Sequence, residues 1–176
     1  TDQVIEVEVV FMEDLLSYGW RDFATFGAAP TAGWADRDII YCVCWSYDLE
    51  SERFLVSFLK HEARHTLDYG LFPDLTVADL EYRAKLTELA FARETLHSLL
   101  GSFRSTAADV RTSPHSHANL RVVRDLRDEL NLPRRHEPGL RDPWAVLRAD
   151  QVNAAARRLL LTNTNALRQN SDQFGD

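Results

Sequence analysis

Lysine is nearly absent from this chain. Of its 20 basic residues only Lys60 and Lys85 are lysines; the other 18 are arginines, spread along the sequence rather than gathered in a tract. Set against 27 acidic residues they leave a net charge of −7, which argues against nucleic acid or an anionic membrane surface as the main partner. Cysteine is equally scarce. Cys42 and Cys44 would share one face of a strand, too close in sequence for a relaxed disulfide. A lone Cys-x-Cys pair is a weak metal signal, and apolar strand cysteines are the plainer reading. No apolar run approaches the ~20 residues that cross a bilayer, so no membrane span is expected. Nor does a signal-like segment follow Thr1, which leaves the compartment open.

What is present is an ordinary globular composition, 45% apolar and 27% charged over 176 residues. That length fits one domain, over 1–168, with a mobile tail at 169–176. The Val- and Ile-rich opening "QVIEVEVVF" and the stretch "RDIIYCVCW" (Arg37 to Trp45) read as strands, with a short helix or loop rich in breakers between them. A helix is expected from about Ser51 to Tyr69, closed by Gly70. Thr76, with Asp79 three residues on, opens a long helix to about Phe103. Another helix is capped by Ser116 and stopped by Pro133, and one or two more follow from Trp144. Helices with a small sheet define class α+β.

Within the first helix lies "HEARH". Residues four apart stand one turn apart on one helix face, so His61 and His65 can grip one ion through their imidazoles. Glu62 projects beside that face, where a carboxylate can take a proton from metal-bound water without being a ligand. The ion suited to two imidazoles and a carboxylate is zinc, one Zn2+ per chain, which brings the pKa of its water towards ~7. The plainer reading is a solvated helix face with two ordinary histidines.

A catalytic zinc needs a third protein ligand. The metzincin pattern fails, because Asp68 and Leu71 stand where it requires glycine and histidine. Asp74, Glu81 and Glu88 are left. If the chain reverses through "GLFPDLT", His65 and Glu81 each sit about 7.5 Å from the turn at ~1.5 Å rise per residue. Glu88, about 18 Å away, is expected to contribute surface charge. Asp74 reaches only if the link folds back.

"HEARH" followed by "LEYRAKLTEL" resembles the gluzincin branch of zinc metallopeptidases, in which a downstream helix carries a glutamate ligand; "EYRAK" is similar to the E-x-x-A stretch around it. The resemblance spans roughly Asp38 to Phe103. It implies a zincin-like domain acting on a peptide or protein substrate, with His61, His65 and Glu81 as ligands and Glu62 as catalytic base. Lys85 departs from the thermolysin-like pattern, which has an aspartate there to orient a histidine. Asp68 either supplies that contact instead or is a surface carboxylate. In zincins an edge strand before the zinc helix pairs with the substrate, a role open to "RDIIYCVCW"; the alternative is a buried core strand. His115, His117 and Tyr69, with Tyr47, are candidates to stabilise the developing oxyanion. His97 and His136 are assigned no role, and Trp20, Trp34, Trp45 and Trp144 are expected in the core or a pocket lining. Two other readings stand beside the peptidase: a zinc-binding but non-catalytic regulatory domain, and a metal-free helical interaction module.

Overall fold

The structure, a computed structural model, describes residues 4–14, 32–36, 38–133 and 142–173. Trp20, His136, the segment 15–31 and the end of the tail at 174–176 fall outside these. Three strands form a mixed sheet in the order β1 (Glu8–Met12), β3 (Ile39–Val43), β2 (Gly33–Asp36). β1 runs parallel to β3, with Glu8 opposite Ile39, and β2 runs antiparallel to it, with Gly33 opposite Cys42. β3 is therefore flanked on both sides and is the buried core strand, not an edge. Its apolar character on both faces has that cause: Ile40, Cys42 and Val43 are all fully buried. β2 had no signal in the sequence, since "GWAD" is too short to show alternation.

The sheet rests on a π-helical segment, Arg53–Lys60, which runs without interruption into α1 (His61–Leu71). Phe54 and Phe58 stack on each other with ring centroids 5.8 Å apart and, with Ile40 and Cys42, form the smaller of two apolar clusters. Gly33 lets the layers close: a Cβ there would strike the Tyr41 carbonyl and the Phe58 ring. Val56, between the two phenylalanines, turns the other way into the larger cluster.

That larger cluster surrounds α2 (Val77–Phe91), which packs against α1, α4 (Pro114–Glu129) and α5 (Ala149–Gln173). Enclosed by its neighbours, α2 buries every residue from Leu80 to Ala90, among them Glu81, Arg83, Lys85 and Glu88. Thr76 caps it as expected, its Oγ1 accepting from Asp79 N at 3.2 Å.

Several boundaries differ from expectation. The helix expected to run from Thr76 to Phe103 is two, because the chain turns extended at Ala92 and resumes as α3 (Leu96–Thr106). Glu52 holds this break open: its carboxylate accepts from the amides of Arg93 at 2.8 Å, Glu94 at 3.1 Å and Thr95 at 2.9 Å, and from Thr95 Oγ1 at 2.6 Å. Gly70 does not close α1, which continues to Leu71. α4 starts at Pro114 behind Ser113, the usual place for a helix-opening proline, and ends at Glu129, before Asn131 in the left-handed region at φ 52°. Of the tryptophans, Trp144 is in the core, whereas Trp45 is 58% exposed.

Candidate metal centre

His61 and His65 stand one turn apart at the head of α1, with their Nε2 atoms 3.1 Å apart and their rings nearly perpendicular at 77°. Glu81, in the second turn of α2, faces both: Oε2 is 3.7 Å from His61 Nε2 and Oε1 is 3.5 Å from His65 Nε2. One ligand atom from each of these three residues lies within 4.8 Å of the other two. A tetrahedral zinc with bonds of ~2.0–2.2 Å would set its ligand atoms about 3.3–3.6 Å apart. The Nε2 pair at 3.1 Å and the Nε2–Oε contacts at 3.5 and 3.7 Å, made to different Glu81 oxygens, lie close to that value, so the donor set suits zinc. Asp74, the rival third ligand, is exposed and outside the group.

Glu88 corrects the sequence reading. It is buried, and its Oε1 lies 2.8 Å from His61 Nδ1. Seven residues separate Glu81 from Glu88, nearly two full turns, so both project from one face of α2. Rise per residue sets the height of each Cα but not that of its carboxylate. A helical side chain leans towards the N-terminus of its helix, which carries the Glu88 carboxylate back along α2 towards His61. With its proton on Nδ1 for Glu88, His61 presents a bare Nε2 lone pair to the group. No such partner serves the second histidine: His65 Nδ1 is buried without a hydrogen bond among the described residues.

The electrostatics follow from this crowding. Burial alone would raise the Glu81 pKa, but His115, His65 and His61 together overcome it and hold the carboxyl below the usual carboxylate range. For His61 the balance is reversed: burial pulls its pKa down, and Glu88, Glu81 and Glu62 raise it above the ordinary histidine value. Lys85, where a thermolysin-like chain has its aspartate, points its Nζ at Glu81 Oε2 from 3.8 Å and sits over the Phe103 ring.

The remaining sequence candidates separate. Glu62 is half-buried on α1. Burial pushes the Tyr47 phenol up, and the Glu62 and Glu88 charges add to this against Arg53, so Tyr47 lies within electrostatic reach of both carboxylates. His115, 69% exposed, brings Nδ1 to 2.8 Å from Glu81 Oε2, though the contact lacks hydrogen-bond alignment. It stands at the rim of the group. His117 turns away, with Nδ1 3.4 Å from Asp109. Tyr69 is exposed, its ring centroid 6.4 Å from that of His65. Asp68 contacts neither histidine: it is fully buried and takes a bidentate pair from Arg83 at 2.7 and 2.8 Å. It is thus neither the orienting contact nor the surface carboxylate expected from its spacing, because Arg83, fifteen residues on, takes up both of its oxygens. The sequence offers Glu88 only as surface charge and does not mark Glu52 at all. The Glu81–Glu88 spacing could have revealed Glu88. Compared with protein-family models, with curated proteins and with solved structures, the chain matches none.

Proposed function

We propose that this protein is a zinc-dependent peptidase with His61, His65 and Glu81 as metal ligands and Glu62 as general base. The observation that carries the reading is that His61, His65 and Glu81 each bring one ligand atom to within 4.8 Å of the others, with the two Nε2 atoms 3.1 Å apart. When bound, zinc supplies a water of lowered pKa and polarises a carbonyl oxygen. The chain's own residues do the rest. Glu88 fixes the His61 tautomer through Nδ1. Glu62 takes up a proton on its carboxylate and returns it to the leaving amine. His115, at the rim of the group, is the candidate to steady negative charge on the substrate oxygen. Since β3 is flanked on both sides, pairing with an extended substrate falls to β2, which packs on α1 and has one strand partner among the described residues.

Metal analysis of protein purified without added zinc should give about one zinc per chain, and a mixed peptide library should show cleavage that a chelator abolishes. Glu62→Gln should keep the metal and remove cleavage. No zinc, even after its addition, sinks the whole reading; zinc with persistent inactivity favours the regulatory domain.

A further inference from the structure

On the other side of α1 from the histidines lies a groove of about 650 Å³, walled by α1, α2 and α5. Its volume is that of a small-molecule site. Its chemistry is unusual for a chain of net charge −7: Lys60, Arg64, Arg157 and Arg168 line it together with Leu67, Leu160, Leu161 and Phe91, and among the described residues no acidic side chain does. Lys60 and Arg157 both sit over the Phe91 ring, at 4.2 and 5.0 Å from its centroid, which gathers two cations at one end. Arg64 comes next along α1 and is short of counter-charge. Its carboxylate, Asp68, is 3.6 Å away and already engaged bidentately by Arg83, so two guanidiniums share one buried anion. An anion at this wall would restore the balance. The leucines beyond it, with Leu161 half exposed, offer apolar surface that water covers at a cost.

We propose that the groove binds a single-chain anionic amphiphile, a carboxylate on an unbranched apolar tail, its head group beside Lys60, Arg64 and Arg157 and its tail over Leu67, Leu160 and Leu161. The inference is independent of the metal centre, although both sites share α1.

Calorimetric titration of the full chain with dodecanoate, dodecanol and acetate, all below micelle formation, tests it. Dodecanoate should saturate at one per chain, with dodecanol and acetate each at least tenfold weaker, because each lacks one half of the match. Leu161→Glu, on the outer face of α5, should weaken dodecanoate more than tenfold, and Lys60→Gln should weaken it several-fold. Equal affinity for dodecanol would reduce the groove to a greasy surface, and equal affinity for acetate would reduce it to an ion site. Either result overturns the proposal, as does absence of saturation, an unchanged Leu161→Glu affinity, or binding of an acidic amphipathic peptide in place of dodecanoate. Should Leu161→Glu fail to fold, as circular dichroism would reveal, the three-probe comparison on the unaltered chain still decides.

Discussion

Glu88 and Glu81 sit on one face of one helix, both buried, both against His61, and they are expected to fail differently. Glu81 Oε1 and Oε2 lie near the imidazole Nε2 atoms, so Glu81→Ala removes one of the three proposed ligands and should weaken zinc binding by orders of magnitude. Glu88 touches only the far nitrogen of His61, at 2.8 Å. Loss of such a partner typically lowers metal affinity about 10–100-fold by freeing the ring and its tautomer. Glu88→Ala should fall in that interval, with Glu88→Gln milder because an amide oxygen still accepts from Nδ1–H. Zinc titrations of the variants against a competing chelator would rank them. An unchanged affinity in Glu88→Ala would deny Glu88 its role. The sequence carried this site in part. The histidine pair and Glu81 were legible because ligand chemistry demands fixed spacings within single elements. Glu88 was not, because its contact depends on the lean of a side chain across a helix pair.

At the scale of elements, the break between α2 and α3 depends on a residue forty positions earlier. Thr95, in the N-cap position of α3, makes no cap hydrogen bond with its own side chain. Glu52 supplies the acceptor from across the interface and so ties the start of the helical segment that leads to the histidines to the middle of the bundle. Although burial works against it, hydrogen bonds from Thr95, Arg93 and Glu94 bring the Glu52 pKa down to about 2. The unfolded chain, with an ordinary glutamate pKa of ~4.3, takes up this proton first as pH falls. The contribution of Glu52 is therefore whole above pH ~4.3 and is lost as pH falls towards about 2. Glu52→Gln should cost about 0.5–2 kcal/mol at neutral pH, the range of a lost helix cap. The gap between variant and parent should then narrow across that acid window. Urea melts at pH 7, 4 and 3 would show it, and a gap constant over these values would remove the ionised carboxylate from the account. A reading from local propensity merges the two helices because "FARETL" contains no proline or glycine, and the feature that separates them lies outside the window.

For the whole molecule, the lesson lies in α2. "LEYRAKLTELAF" carries charge on every side, so binary patterning assigns it a wet face; the fold instead encloses it and pairs each charge internally. Class α+β was legible from strand composition and helix caps, but which helix sits at the centre was not, because burial of charge depends on partners brought from elsewhere in the chain. Arg83 shows what this arrangement demands. It is 1% exposed and binds Asp68 of α1 bidentately, Asn163 of α5 at 2.7 Å and Thr164 at 3.2 Å, so one guanidinium joins three helices. Asp68→Ala should cost about 3–5 kcal/mol, since it strands a buried cation. The loss falls at the upper end if Arg64, 3.6 Å from the same carboxylate, then faces Arg83 without an intervening anion. Replacing both partners by apolar groups removes the stranded charge together with its counter-ion. The double variant Asp68→Leu/Arg83→Met should therefore be more stable than Asp68→Ala, although Asn163 and Thr164 lose a donor. Denaturant midpoints of the parent, the single and the double variant decide between a pair kept for stability and one kept for the arrangement it specifies. A double variant as stable as the parent, with zinc affinity retained, would show that apolar packing alone can hold α1 and α2 at the spacing the histidines need. A double variant stable but weak for zinc would show that the ion pair sets the register of the two helices that bear the ligands.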